Sequence, residues 1–375
     1  MKRIFWVVGD KSGDLHASNV IEKSNAISSN LDHIGIGGPN MCQKGFFSLF
    51  PFEKFNMMGF GEIIKHIPFF LKVEKEIKNY FENTPPDLVV LVDYPGFNFR
   101  IAEIAYRHNI KILYYICPQF WAWRHNRIYA MRRFCDYIAC IFPFEKEILD
   151  IHGVKSEYVG HPVVDEISFK INKEEFSKFF KLDPLKKWIG FFPGSRLAEV
   201  NKLLPIYVET MKNLKKMKPD YELLVSKSNI ISSAVYYKYL AKLDFIHLID
   251  GYTYEMMKYS NFLIIKSGTS TVESAYIGTP FAIVYKTSPL SYHIAKKFIR
   301  VKYIGMPNII LDKAVVPELI QNDVNPKRII ETILYHIDNL QESDHMAKNL
   351  QEIKSTFGSL SASQNVAELI KKMIE

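Results

Sequence analysis

Short apolar runs that end in a turn of small residues, each followed at once by a segment able to form a helix, recur through both halves of this chain. Arg3 to Val8 leads into Gly9-Asp10-Lys11-Ser12-Gly13-Asp14 and a helix from about Leu15. Pro86 to Asp93 leads into Tyr94-Pro95-Gly96-Phe97-Asn98, Trp188 to Phe192 into Pro193-Gly194-Ser195-Arg196, and Phe262 to Ile265 into Lys266-Ser267-Gly268-Thr269. Runs apolar on both faces belong to strands covered on both sides. Parallel neighbours need a crossover between them, so the alternation predicts doubly wound parallel sheets. Ser168 to Lys187 is polar, lysine-rich and without a strand pattern, and reads as a linker. With 375 residues there is material for two cores. The expected organisation is two Rossmann-like α/β domains, 1–167 and 168–350, facing across a cleft. A helical segment, 351–375, is able to pack back on the first.

The turns carry the chemistry. Ser267, Gly268 and Thr269 open a helix whose first N–H groups suit an anion such as a phosphate. Glu273 lies one turn in, on the face of Thr269, where a carboxylate can accept hydrogen bonds from a ribose diol. A plain cap by Thr269 is the alternative. Gly194-Ser195-Arg196 is a second such cradle, and Arg196 can fork onto two phosphate oxygens. Asp250-Gly251 ends another strand and offers a third contact. In the first half, Asp93 stands at the carboxyl end of a buried strand, where open α/β sheets bind ligands. It reads as a general base, or else as the cap of a helix near Gly96. Ser12, Gly13 and Asp14 form a substrate loop or a structural turn that lacks the full dinucleotide fingerprint. Cys117 to Arg127 holds Trp121 and Trp123 beside Arg124 and Arg127, which suits packing on a sugar and holding a phosphate. A buried Trp on an Arg stem is the alternative.

The net charge of +8 points to acidic partners: phosphates, nucleic acid or anionic lipid. The four cysteines form no metal-spaced pair. Ile4 to Val8 is too short for a signal peptide, and no stretch is long and uncharged enough to span a bilayer, so a cytoplasmic location is expected. Between 55 and 81 the chain is rich in Met and Phe. Glycines and Pro68 argue against one continuous helix there. Met57, Met58, Phe60, Ile63, Ile67, Phe69 and Phe70 are read as an acyl-chain or membrane patch, with a buried core helix as the alternative. Ser288 to Arg300, with Lys296 and Lys297, reads as a basic amphipathic helix and Val316 to Gln321 as a short helix. From Pro326 onward the pattern is helical.

Taken in order, the motifs resemble the lipid-A-disaccharide synthases, inverting glycosyltransferases of the GT-B architecture. The pieces that carry the resemblance in the first half are Ser12-Gly13-Asp14, Gly37-Gly38-Pro39, Met58-Gly59, Asp93 to Asn98, Trp121-Ala122-Trp123-Arg124, Phe142 to Lys146 and Gly160-His161-Pro162. In the second half they are Pro193 to Arg196 with Glu199-Val200, Ser267-Gly268-Thr269 with Glu273, Pro307-Asn308 and Val316 to Gln321. The chain departs from the family at Asp10, usually Glu, at Gly96, often an acid, and at Lys266, often alanine. The resemblance implies a UDP-linked diacylglucosamine donor, a diacylglucosamine 1-phosphate acceptor and a β-1,6-linked disaccharide phosphate as product. It implies Asp93 as base, Glu273 on the ribose, and Asn308 and Gln321 lining the cleft. No acidic cluster of the kind metal-dependent transferases place around the diphosphate is evident, so no metal and no cofactor are expected. Arg124, Arg127, Lys296 and Lys297 are expected near the acceptor phosphate or anionic headgroups of the inner membrane's cytoplasmic face, and a homodimer is compatible with the resemblance. An epimerase of UDP-N-acetylglucosamine, or another UDP-sugar transferase, is the alternative on the same architecture. A nucleic-acid-binding protein would need its Lys and Arg in one stripe, whereas here they are scattered.

Overall fold

The computed structural model describes residues 1–55, 60–288, 292 and 301–375, with side chains throughout except at 60–66. Met57 and Met58 of the apolar patch, and Lys296, Lys297 and Arg300 of the basic segment, lie outside the described residues, as do the side chains of Phe60 and Ile63. The chain forms two compact units. One comprises Met1–Asp165 with Phe357–Glu375, the other Glu166–Thr356.

In the first unit the elements run β1 (Lys2–Val8), α1 (Lys11–Ile27), β2 (Leu31–Ile36), α2 (Pro39–Cys42), β3 (Phe46–Ser48), α3 (Phe60–Asn83), β4 (Leu88–Val92), α4 (Pro95–Arg107), β5 (Lys111–Tyr115), α5 (Arg127–Phe134), β6 (Tyr137–Cys140), α6 (Pro143–Ile151), β7 (Ser156–Tyr158) and α7 (Val163–Glu166). The sheet order is β3-β2-β1-β4-β5-β6-β7, parallel throughout. The order reverses between β1 and β4, whose last residues pair as Val8 with Val92. Ile4 to Val8 and Leu88 to Val92 are buried, as apolarity on both faces requires.

The second unit contains α8 (Lys173–Phe180), β8 (Lys187–Phe192), α9 (Leu197–Met217), β9 (Tyr221–Lys227), α10 (Ser233–Leu240), β10 (Ile246–Asp250), α11 (Thr253–Tyr259), β11 (Phe262–Lys266), α12 (Thr269–Ile277), β12 (Phe281–Tyr285), α13 (Met306–Ile310), β13 (Glu318–Ile320), α14 (Pro326–Asp338) and α15 (Leu340–Phe357). Its order, β10-β9-β8-β11-β12-β13, reverses between β8 and β11. The closing helix α16 (Ala362–Ile374) returns to the first unit and packs on α1. Asn365 Nδ2 donates to the Val159 oxygen at 2.9 Å.

Three local readings are corrected. The stretch around Pro68 forms one helix, α3, with the proline inside it. An internal proline costs about 3 kcal/mol. Val73, Ile77 and Phe81, spaced four apart, are nearly fully buried, and each contributes about 1.5–3 kcal/mol, which outweighs the proline. Phe69 and Phe70 belong to the core rather than to an exposed patch: their rings lie 5.2 and 5.9 Å from Phe55. Ile67 and Leu71, one turn apart, remain exposed. Finally, Val316 to Gln321 holds a strand, not a helix, because Glu318–Ile320 completes the edge ladder beside β12.

Candidate functional site

In open parallel sheets, ligands bind beyond the carboxyl ends of the strands where the order reverses. In the first unit that point lies after β1 and β4. Asp93 and Tyr94 leave β4 with φ of 43° and 48°, a left-handed region that side-chain-bearing residues rarely occupy. The neighbourhood holds them there. The Asp93 carbonyl accepts from Tyr114 Oη at 2.6 Å and Asn98 Nδ2 at 2.7 Å. Tyr94 Oη donates to the Phe55 oxygen at 2.9 Å. Gly9 makes room for the Tyr94 ring, since a Cβ there would lie 2.3 Å from it. The helix that follows has Tyr94 as N-cap with no side-chain cap, so the Asp93 carboxylate is not spent on capping.

That carboxyl is pushed up to about 7, chiefly by burial and then by Asp10, against stabilisation from the Tyr94 N–H, His16 and Arg127. A half-ionised carboxyl near neutral pH is suited to proton transfer. Asp10 itself caps α1, accepting from the Gly13 N–H at 2.7 Å. Asp10 and His16 reach Asp93 only through the β1–β4 pairing, and sequence reasoning gave neither a role. No spacing signal marks them.

Asp14 is corrected. It is buried and accepts from the N–H groups of Gly38, Asn40 and Met41 and from Asn40 Nδ2, at 2.9–3.2 Å, so it ties α1 to α2. Removing it orphans several buried donors. Asp14→Ala is expected to cost about 3 kcal/mol or more in urea unfolding. A loss of activity with unchanged stability would instead return Asp14 to the substrate loop. Gly13 is buried at the first turn of α1, while Ser12 is exposed. The Gly160-His161 motif is also structural. His161 stacks on Phe357 at 4.5 Å, and burial, then His16, lower its pKa to about 3.

The loop after β5 carries Trp121 inward and Trp123 outward. Trp121 Nε1 donates to Glu145 Oε1 at 3.0 Å, and Glu145 Oε2 accepts from Ile141 and Phe142 N–H at the start of α6. Trp123 is exposed, with Arg124 and Arg127 against its ring.

In the second unit the order reverses after β8 and β11. Phe192 pairs with Ile265, so the Gly194-Ser195-Arg196 and Lys266 to Thr269 turns leave the sheet side by side. Glu199 joins them. Its Oε2 accepts from Ser195 and Arg196 N–H, its Oε1 is 2.7 Å from Lys266 Nζ, and it lies 3.6 Å from Arg196. The Ser195 N–H is thus occupied by Glu199, and the cradle at α9 offers cationic side chains rather than that amide. At α12 the N-cap is Gly268 with no side-chain cap, and Thr271 Oγ1 donates to the Gly268 carbonyl, so Thr269 does not cap. The start of α12 therefore leaves N–H groups without a side-chain acceptor. Glu273 is half-buried and its charge, after burial, raises the Tyr254 hydroxyl. Gly251 follows β10 at the sheet edge, two strands from β8, beside the Lys227–Asp250 pair at 2.9 Å.

Asn308 is corrected. It is buried, with Nδ2 donating to the Val316 oxygen and Glu318 Oε1, and Oδ1 accepting from Val315 and Val316 N–H. It braces the approach to β13. Gln321, at φ 53°, accepts from the Thr287 N–H at 2.7 Å through Oε1 and supports the end of β12. Among the described residues no group of three or more His, Cys, Asp or Glu is placed to hold a metal ion, and no helix is long and apolar enough to cross a membrane.

Two parallel sheets with ligand turns at their reversal points define the two-domain GT-B class of glycosyltransferases and nucleotide-sugar epimerases. The fold matches UDP-GlcNAc 2-epimerase from Neisseria meningitidis bound to UDP-GlcNAc, with a TM-score of 0.68, 14% identity, and coverage of 99% of this chain and 100% of that one. It also matches a glycosyltransferase from Rickettsia africae, with a TM-score of 0.60, 14% identity, and coverage of 100% and 99%. Identities this low establish the fold alone. The sequence goes further: the model of the lipid-A-disaccharide synthetase family matches residues 4–373, and the chain belongs to that family. It is 35% identical to the lipid-A-disaccharide synthase of Geobacter sulfurreducens over 374 residues, 99% of this chain and 97% of that one. It is 31% identical to that of Coxiella burnetii over 373 residues, 100% and 99%. The chain is therefore a glycosyltransferase, and its likeness to the epimerase is one of fold.

Proposed function

We propose that this chain transfers a diacylated glucosamine from UDP to the primary hydroxyl of diacylglucosamine 1-phosphate, giving the β-1,6-linked disaccharide phosphate and UDP. The observation that carries the reading is Asp93, a carboxyl held at the reversal point of a parallel sheet with a pKa near 7. A primary hydroxyl is a poor nucleophile at neutral pH, and Asp93 takes its proton as the bond to the sugar carbon forms. Attack opposite the departing UDP inverts that carbon. The diphosphate gains charge as it leaves. Arg196, Lys266 and the uncapped start of α12 supply positive potential for it, so the barrier falls without a metal. Glu273 holds the ribose. Ile67 and Leu71 on α3 offer an apolar face to acyl chains or to the cytoplasmic face of an anionic membrane.

The test is a mass-resolved assay with both lipid substrates, with and without EDTA. The expected result is a tetraacyl disaccharide phosphate and UDP in equal amounts, unchanged by EDTA. Turnover of soluble UDP-N-acetylglucosamine alone, with no disaccharide, would point to an epimerase instead. Loss of product on adding EDTA would overturn the metal-free part of the mechanism.

A further inference from the structure

Arg124 Cζ lies 4.9 Å and Arg127 Cζ 4.7 Å from the ring centroid of Trp123, which is 37% exposed. Arg3, Arg100, Arg107, Arg196 and Arg328 each sit beside a carboxylate, whereas Arg132 and Arg133 have no ion pair among the described residues but do not share a ring, Arg133 lying over Phe134 alone. Among the described residues, no carboxylate lies within ion-pair distance of Arg124 or Arg127. Two like charges are therefore gathered on one indole without a counter-ion. Burial, and then repulsion from Arg124, lower the pKa of Arg127, only partly offset by Tyr114 and Asp93. The backbone also works to place them. Arg124 has φ 55°, which L side chains rarely adopt, and Glu145 fixes the loop through Trp121. Arg127 is within electrostatic reach of Asp93, though no ion pair joins them.

We propose that Arg124 and Arg127, held against Trp123, form the subsite for the phosphate monoester on the acceptor sugar. This rests on the reading that the acceptor is a sugar 1-phosphate. Each guanidinium can fork onto two phosphate oxygens, and the indole offers an apolar surface to the sugar. A monoester carries about −1.5 to −2 charge at neutral pH, which two cations match. A phosphodiester headgroup carries one charge and is matched less well.

The experiment uses the full chain and two variants, Arg124→Gly, which suits the positive φ, and Arg127→Lys, which keeps the charge and loses the fork. Binding of glucosamine 1-phosphate, of glucosamine and of UDP is measured by calorimetry. KM is measured for the diacylated acceptor with and without its phosphate. Arg124→Gly is expected to weaken glucosamine 1-phosphate roughly tenfold, a typical loss for one charge-assisted contact. It should raise KM for the phosphorylated acceptor similarly, leave UDP binding unchanged, and hold or raise the melting temperature. Arg127→Lys should give a smaller loss in the same direction. The acceptor without phosphate should not distinguish the variants from the wild type. Equal weakening with and without the phosphate overturns the subsite. So does an unchanged KM accompanied by weaker binding to phosphatidylglycerol vesicles, which would give the cations to lipid headgroups. Sugar-phosphate binding through Arg124 without any sugar transfer would keep the subsite and remove the transfer reading. Transfer with KM insensitive to both variants would do the reverse.

Discussion

Asp93→Asn is expected to lower turnover roughly 10²–10⁴-fold, the usual contribution of a positioned general base, while leaving UDP affinity unchanged. The same change is expected to stabilise the fold at high pH. The Asp93 carboxyl sits at about 7 in the folded chain against 3.8 for an ordinary aspartate. Between those values the folded state holds more protons than the unfolded one, so stability falls as pH rises through the window. Asparagine removes that penalty. The variant should match the wild type near pH 4 and exceed it by up to about 4 kcal/mol near pH 8. Glu145, also raised to about 7 by burial, adds the same slope to both proteins and cancels in the difference. In the wild type, kcat/KM should rise to a plateau through an apparent pKa near 7. Asp10, His16, Arg127 and Tyr114 face this carboxyl. Asp10→Asn should move the rise to lower pH by removing the like charge. A pH profile unaffected by either change, with turnover intact, would remove Asp93 as the base.

Arg196→Ala is the second large effect. Its side chain is half exposed and pairs only loosely with Glu199 at 3.6 Å, so its loss should leave the melting temperature within a degree or two. A charge-assisted contact to a diphosphate is worth about 1.5–3 kcal/mol, so the dissociation constant for UDP should rise roughly 10- to 100-fold. The measurement is a titration with UDP. An unaltered constant would move the diphosphate away from the α9 turn and leave it to Lys266 and the start of α12.

The main strands and the family of this chain were legible in one dimension. Continuous apolar runs such as Leu88 to Val92 read as buried parallel strands because covering on both faces leaves no polar positions. Gly194-Ser195-Arg196 and Ser267-Gly268-Thr269 read as anion turns because small residues and helix starts expose N–H groups. Motifs in order were enough to indicate the family. Where single residues were misplaced, long-range packing had overridden a local rule. Buried contacts made by α3 carry that helix through Pro68, and Asp14 and Asn308 spend their hydrogen bonds on neighbours distant in sequence.

The sequence by itself determined the long buried strands and the presence of two parallel sheets, but not the short edge strand Glu318–Ile320, whose three residues carry too little pattern to separate strand from helix. Strand order was decided only by tertiary structure, because pairing between β1 and β4, or β8 and β11, depends on how crossover helices cover the sheet and leaves no periodic trace. That order buries the Asp93 carboxyl and brings Asp10 beside it, and burial first, then the like charge, raise it to about 7. It also brings Lys266 and Arg196, from two separate loops, onto the one carboxylate of Glu199.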